Sequence, residues 1–257
     1  MKCAALFALS IVALGCKKAP PEPLRVAAAA DLAHAFAELG PAFSAQSSPP
    51  VAVKLTLGAT GLLARQLEQG APFDLFLAAN VSYVDQVVKA GACDASSSAS
   101  YARGRLVIWV KGTDGVELTP ASLTGARFKH IAIANPDHAP YGKAAREALT
   151  RAGVWSTLSD RLVYGENVQQ TFELAQSGNA DAAIVGLSLA IGTKIGSWAI
   201  MDETLYTPIE QALVVCKHGS NAASARRLKA FIEAPAGRTI LRKYGFLLPG
   251  ETLAKAP

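Results

Sequence analysis

The chain has 257 residues, 51% of them hydrophobic, and a formal net charge of +5. That length and apolar content are enough for one large folded unit or two modest ones with real cores. The basic residues are scattered and pair with acids along helical faces, as at Arg65/Glu68 and Arg146/Glu147. No Lys/Arg run is interleaved with aromatics, which argues against nucleic-acid binding and for a mildly basic, solvated surface.

The first residues read as an address. Met1-Lys2 gives a positive start, Cys3 to Leu14 is almost wholly apolar, and Ala13-Leu14-Gly15-Cys16 places small residues before a cysteine. The apolar run is too short for a permanent membrane span. The pattern resembles a bacterial lipoprotein signal over residues 1–16, with Cys16 lipidated; a conventional cleaved signal is the other reading. Residues 17–23 (KKAPPEP) read as an extended tether. The chain is thus expected at a membrane surface through a lipid anchor only, periplasmic or on the cell surface.

From Leu24 onward, short apolar runs alternate with amphipathic segments. Leu24–Ala29, Val51–Leu57 and Phe73–Ala78 read as buried strands, and Leu32–Phe43, Leu62–Gln69 and Val81–Lys89 as helices. Cys93–Ser100 is small and polar, a loop by composition. Arg105–Val110 starts a second series: strands His130–Ala134, Arg161–Tyr164 and Ala182–Val185, with helices Gly142–Ala152, Val168–Gln176 and Leu187–Ile191. Strand Gln211–Cys216 and helices Ala222–Ile232 and Gly237–Tyr244 close the chain. This rhythm implies an α/β protein with mostly parallel sheets and helices on both faces. The late strand needs a sheet to join, so one domain is discontinuous: residues 24–106 plus 210–249 form lobe 1, residues 107–209 lobe 2, and residues 250–257 a tail.

Four strand ends run into turns built to start helices: Ala28-Ala29-Ala30-Asp31-Leu32, Gly58-Ala59-Thr60-Gly61, Ala139-Pro140-Tyr141-Gly142 and Gly165-Glu166-Asn167-Val168. A helix N-terminus offers unpaired N–H groups and a partial positive charge, so it holds an anion without a cationic side chain. Ligands of open α/β sheets bind beyond the carboxyl ends of the strands, where these four turns lie. Each has a plainer reading. Asp31 suits an N-cap whose carboxylate accepts helix N–H groups, Thr60 a cap, and Tyr141 a boundary residue whose ring covers the site. His34, His130, His138 and His218 lack metal-ligand spacing, and Ser188 lacks the second glycine of a nucleophile elbow. No catalytic residues and no metal-cation ligands emerge. In the folded part, Cys93 and Cys216 are open to either a disulfide or two buried thiols.

Together these stretches resemble the periplasmic molybdate-binding proteins of ABC transporters. The likeness also runs through Gly70-Ala71-Pro72-Phe73-Asp74-Leu75-Phe76, Tyr101-Ala102-Arg103-Gly104-Arg105-Leu106-Val107, Asn135-Pro136-Asp137-His138 and Arg242-Lys243-Tyr244-Gly245-Phe246, and so covers Leu24 to Leu248. It implies a two-lobed type II periplasmic binding protein fold closing on molybdate or tungstate, with an ABC permease as partner, no cofactor, no enzymatic activity and a monomeric state. Carried over by motif, the oxyanion contacts fall at Ala30, Asp31, Thr60, Tyr141 and Val168, the last two through main chain. Two positions depart from the family pattern. Many members carry Ser or another neutral polar residue where Asp31 stands. Its side chain is therefore expected to turn toward its own helix, leaving backbone contact alone. Many carry a Tyr where Gly186 stands, and the Pro-Tyr-Gly form resembles the subgroup without it. A donor-only site suits a fully ionised oxyanion and penalises protonated phosphate; sulfate or a phosphonate on the same fold is the alternative, an extracytoplasmic α/β enzyme a weaker one.

Overall fold

The computed structural model describes residues 22–112 and 117–251. The expected signal with Cys16, most of the tether and residues 252–257 lie outside the described residues. In chain order the elements are β1 (Leu24–Ala29), α1 (Ala33–Gln46), β2 (Val53–Gly58), α2 (Thr60–Glu68), β3 (Leu75–Ala78), α3 (Val81–Lys89), β4 (Ala99–Gly104) and β5 (Leu106–Val110). Then come β6 (Ile131–Ala134), α4 (Pro140–Arg151), α5 (Trp155–Leu158), β7 (Leu162–Gly165), α6 (Val168–Ser177), β8 (Ala182–Gly186), α7 (Leu187–Ala190) and β9 (Ser197–Ile200). β10 (Ile209–Val215), α8 (Ala222–Glu233) and α9 (Pro235–Lys243) complete it.

The strands form two sheets of matching order, β2-β1-β3-β10-β4 and β7-β6-β8-β5-β9. In each, three neighbouring strands are parallel, and the fourth position is held by one reversed strand, β10 or β5, paired antiparallel on both sides. The reversed strands are the crossings. β4 ends in the first sheet at Gly104, and Leu106 already pairs with Gly186 in the second. The return falls between Ile200 and Ile209.

Period-two burial explains why the first sheet is covered on both faces. Val26 and Ala28 of β1 pack with Phe36, Leu39 and Phe43 of α1 and with Leu228 and Phe231 of α8. Ala27 points the other way, with Phe76, into a cluster holding Leu63 and Leu67 of α2 and Val84 and Val87 of α3. In the second sheet Trp109 is fully buried, its ring edge-on to Phe172 at 5.1 Å. The helices begin where local chemistry allows: the Asn80 side chain caps α3, Asn167 caps α6, and Pro140 and Pro235 sit in the first turns of α4 and α9.

Three segments differ from the sequence reading. The polar run read as a loop gives way to β4 at Ala99, because pairing with β10 overrides weak local propensity and buries Tyr101 and Ala102. β9 is an edge strand whose residues alternate between half-buried and exposed, with the large Trp198 and Ile200 on the exposed side, so it lacks the buried apolar run that marks the other strands. α5 is a single turn. Cys93 and Cys216 face each other as an antiparallel bridge and form a disulfide, which resolves the alternative of free thiols.

Candidate oxyanion-binding site

Ala30, Asp31, Thr60, Tyr141 and Val168 line one pocket, together with Ala59, Ala79 and Pro140; it holds about 190 Å³ of atom-free space, part of it open to solvent. They reach it from four helical starts. Ala30 and Asp31 lie in a 3-10 turn after β1, Thr60 opens α2, Pro140 and Tyr141 open α4, and Val168 opens α6. First-turn amides have no partner within their own helix. At α6 the Asn167 side chain accepts the N–H groups of Gln169 and Gln170, both at 3.0 Å, which leaves the Val168 N–H outside the cap. At α4 Pro140 has no N–H, so Tyr141 supplies the first amide. Thr60 is buried, and its Oγ1 accepts the Ala79 N–H at 3.1 Å, so its hydroxyl proton is left for a different acceptor.

Asp31 behaves differently from the sequence reading in two respects. It is not an N-cap: the 3-10 turn is preceded by Ala29 with no side-chain cap bond. Nor does its side chain turn back to its own helix. Oδ2 accepts the Tyr141 hydroxyl at 3.0 Å and Gln211 Nε2 at 2.5 Å, while Oδ1 is buried without a hydrogen-bond partner. Tyr101 donates its hydroxyl to Gln211 Oε1 at 2.5 Å, which holds the amide with its nitrogen toward Asp31. Asp31 and Gln211 are fully buried, and the desolvation of Asp31 pushes its carboxyl up from 3.8 to about 6 against the opposing pull of Gln211, Tyr141 and its own backbone N–H. Burial, reinforced by the Asp31 charge, raises the Tyr101 and Tyr141 phenols well above their usual range, so both remain donors. An ionised carboxylate within about 4 Å of an anionic guest costs on the order of 4 kcal/mol per unit of guest charge.

The Tyr141 side chain needs room made by two glycines. A Cβ on Gly104 would lie 2.0 Å from the Tyr141 hydroxyl oxygen, and one on Gly186 would lie 3.0 Å from its ring. The missing side chain at position 186 is therefore where the Tyr141 ring packs. Gly104→Ala is expected to lower thermal stability by about 1–3 kcal/mol through overpacking. Gly40→Ala, in a helix with nothing within 4 Å, should be neutral or stabilising. Paired melting curves of the two variants check this.

Hydrogen bonds tie the second-sheet elements to the first across the pocket. Tyr141 reaches Asp31, the Ser188 hydroxyl donates to the Asp31 carbonyl at 2.7 Å, and the Gly61 N–H donates to the His138 carbonyl at 2.9 Å. His138 Nε2 meets the Glu166 carbonyl at 3.0 Å. Sequence reasoning missed Gln211, Tyr101, Gly104 and the bond made by Ser188. Gln211 left a signal as an amide opening an apolar strand, and Tyr101 and Gly104 stood in a stretch that carries the family likeness, but nothing local pointed to their contacts. Among the described residues, no group of three His, Cys, Asp or Glu is placed to hold a metal cation.

A pocket between two α/β sheets, lined by the starts of four helical segments, is built to hold a small anionic guest. The family model for bacterial extracellular solute-binding proteins matches residues 24–247, and the chain belongs to that family. It is a solute-binding protein and not an enzyme. It is 36% identical to the molybdate-binding protein ModA of Rhodobacter capsulatus over 86% of each chain. It is 26% identical to a Bacillus subtilis protein described as a putative ABC transporter substrate-binding lipoprotein, over 87% of this chain and 85% of that one. The solved periplasmic molybdate-binding protein of Azotobacter vinelandii superposes with a TM-score of 0.83 at 30% identity, covering 88% of this chain and 99% of that one.

Proposed function

We propose that this protein captures molybdate or tungstate outside the cytoplasmic membrane and delivers it to an ABC permease. The observation that carries the reading is the convergence of four helical starts on one small pocket, where first-turn main-chain N–H groups and the Thr60 hydroxyl are the donors at hand. Such a lining satisfies an acceptor-only guest, and the helix termini supply positive potential without a basic side chain. The relatives named above, molybdate-binding in two cases, favour this guest over other oxyanions. The contacts are Ala30, Asp31, Thr60, Tyr141 and Val168. Lobe 1 comprises residues 24–106 with 210–249, and lobe 2 comprises residues 107–209. The protein acts as a monomer held to the membrane by lipid on Cys16, a reading supported by the Bacillus relative's description as a lipoprotein. Among the described residues no helix is long and apolar enough to cross a membrane.

Calorimetric titration with molybdate, tungstate, sulfate and phosphate tests the proposal. Heat and saturation with the first two are expected; tight sulfate binding with no response to either would overturn it. Thr60→Val should weaken molybdate binding by about 1–3 kcal/mol, because a donor to a charged oxygen is lost. Thr60→Ser keeps that hydroxyl and should retain most of the affinity. Unchanged binding in the valine variant would place Thr60 outside the contact set.

A further inference from the structure

Asp31 puts an acid where the proposed guest is an anion, and its surroundings decide which form of the acid is compatible. Its side-chain partners are both neutral: Tyr141 from α4 and Gln211 from β10. Behind Gln211 stands Tyr101 of β4, and Ser188 of α7 binds the Asp31 carbonyl. From α6, which also packs on this turn, the pocket receives Val168. The titratable groups facing Asp31 are thus two phenols, both held protonated by burial. The donor inventory then locates the acid's proton. Oδ2 already accepts two donors, so a proton on the carboxyl belongs on Oδ1, the buried oxygen with no partner. Asp31 is one of the residues that line the pocket, so an acid protonated on Oδ1 adds an O–H donor to that wall beside Thr60 and the main-chain amides.

We propose that Asp31 is a specificity-determining residue that binds the oxyanion as a neutral carboxylic acid, donating its Oδ1–H to a guest oxygen, so that each binding event takes up one proton from solvent. The inference rests on the oxyanion reading of the pocket. No covalent bond changes; the proton moves from water to Oδ1 and stays there in the complex. Since burial holds the carboxyl at about 6 in the free protein, most molecules are ionised above neutral pH and must acquire that proton to bind. The opposite arrangement, an ionised Asp31 accepting a proton from the guest, would favour a protonated oxyanion such as hydrogen phosphate.

The test is calorimetric titration of the signal-free protein with molybdate between pH 6 and 9, in paired buffers of different ionisation enthalpy. Molybdate stays fully ionised over that range, so any pH response belongs to the protein. Uptake approaching one proton per guest is expected toward the alkaline end, with Kd rising about tenfold per pH unit there. Asp31→Asn, whose amide nitrogen donates without titrating, should bind with neither the uptake nor the slope; Asp31→Ser, also neutral, should be equally flat. Wild-type protein that binds molybdate with constant Kd and no proton uptake would overturn the role of Asp31 and leave the oxyanion reading standing. Preferential binding of phosphate, without uptake, would overturn it in favour of the ionised form. Failure of molybdate, tungstate and sulfate alike to bind at any pH would bring down both readings. Should neither variant fold, the wild-type uptake alone decides.

Discussion

Replacing both Cys93 and Cys216 by alanine, or reducing the bond between them, is expected to destabilise the protein by about 2–5 kcal/mol. The two cysteines are 123 residues apart, so the bond closes a loop that contains the whole second sheet. In the chain-entropy account, cross-linking so long a loop restricts the unfolded ensemble enough to reach the upper end of that range. Both residues are buried among Phe76, Val84, Val87 and Val214, so the double variant also loses packed sulfur. For a domain of this size the loss amounts to a drop of about 10 °C in Tm. Melting curves with and without a thiol reductant give the readout. The wild type should respond to reductant and the double variant should not; equal melting of oxidised and reduced wild type would show that the bond contributes nothing.

The second large effect is a pH dependence written into Asp31. Its carboxyl is raised from 3.8 to about 6 by burial, so between those pH values the folded state holds a proton that the unfolded state has released. Stability attributable to this group is therefore full below pH 4, declines as pH rises to about 6, and is constant above. The difference amounts to about 3 kcal/mol. Asp31→Asn removes the titration. Denaturant unfolding of ligand-free protein at pH 4 and pH 8 should show the asparagine variant gaining about that much, relative to wild type, between the two pH values. Identical differences at both would mean that Asp31 titrates alike in the folded and unfolded chain.

The parts of this molecule that a reader of the sequence can see are those decided by neighbours along the chain. β1, β6 and β8 are short apolar runs, α3 starts at an asparagine that caps it, and α4 starts at a proline, so their placement follows from local rules. The same rules mark the four turns that end at the pocket. What happens at Asp31 is decided elsewhere. Its partners Tyr141 and Gln211 are 110 and 180 residues away, and no local pattern tells a capping carboxylate from one spanning two sheets. Gly186 likewise reads as a missing donor until the Tyr141 ring is found packed in the space it leaves. β4 and β9 fail for a related reason: each owes its strand state to a partner strand distant in sequence and not to its own composition.

The place of β10 between β3 and β4 has a consequence for how the chain comes together during synthesis and export. Strand pairs β2-β1-β3 and every strand of the second sheet lie within the first 200 residues, but β4 has no neighbour in its sheet until Ile209–Val215 arrives. The second sheet is continuous in sequence and can assemble first, whereas the first sheet must wait for the last quarter of the chain. Until then β3 presents an open margin, Leu75 to Ala78, with four apolar residues ready to recruit another molecule. A nascent or translocating chain is thus expected to be most exposed to self-association before β10 emerges, and a chain cut ahead of that strand is expected to aggregate and not to form a smaller working protein.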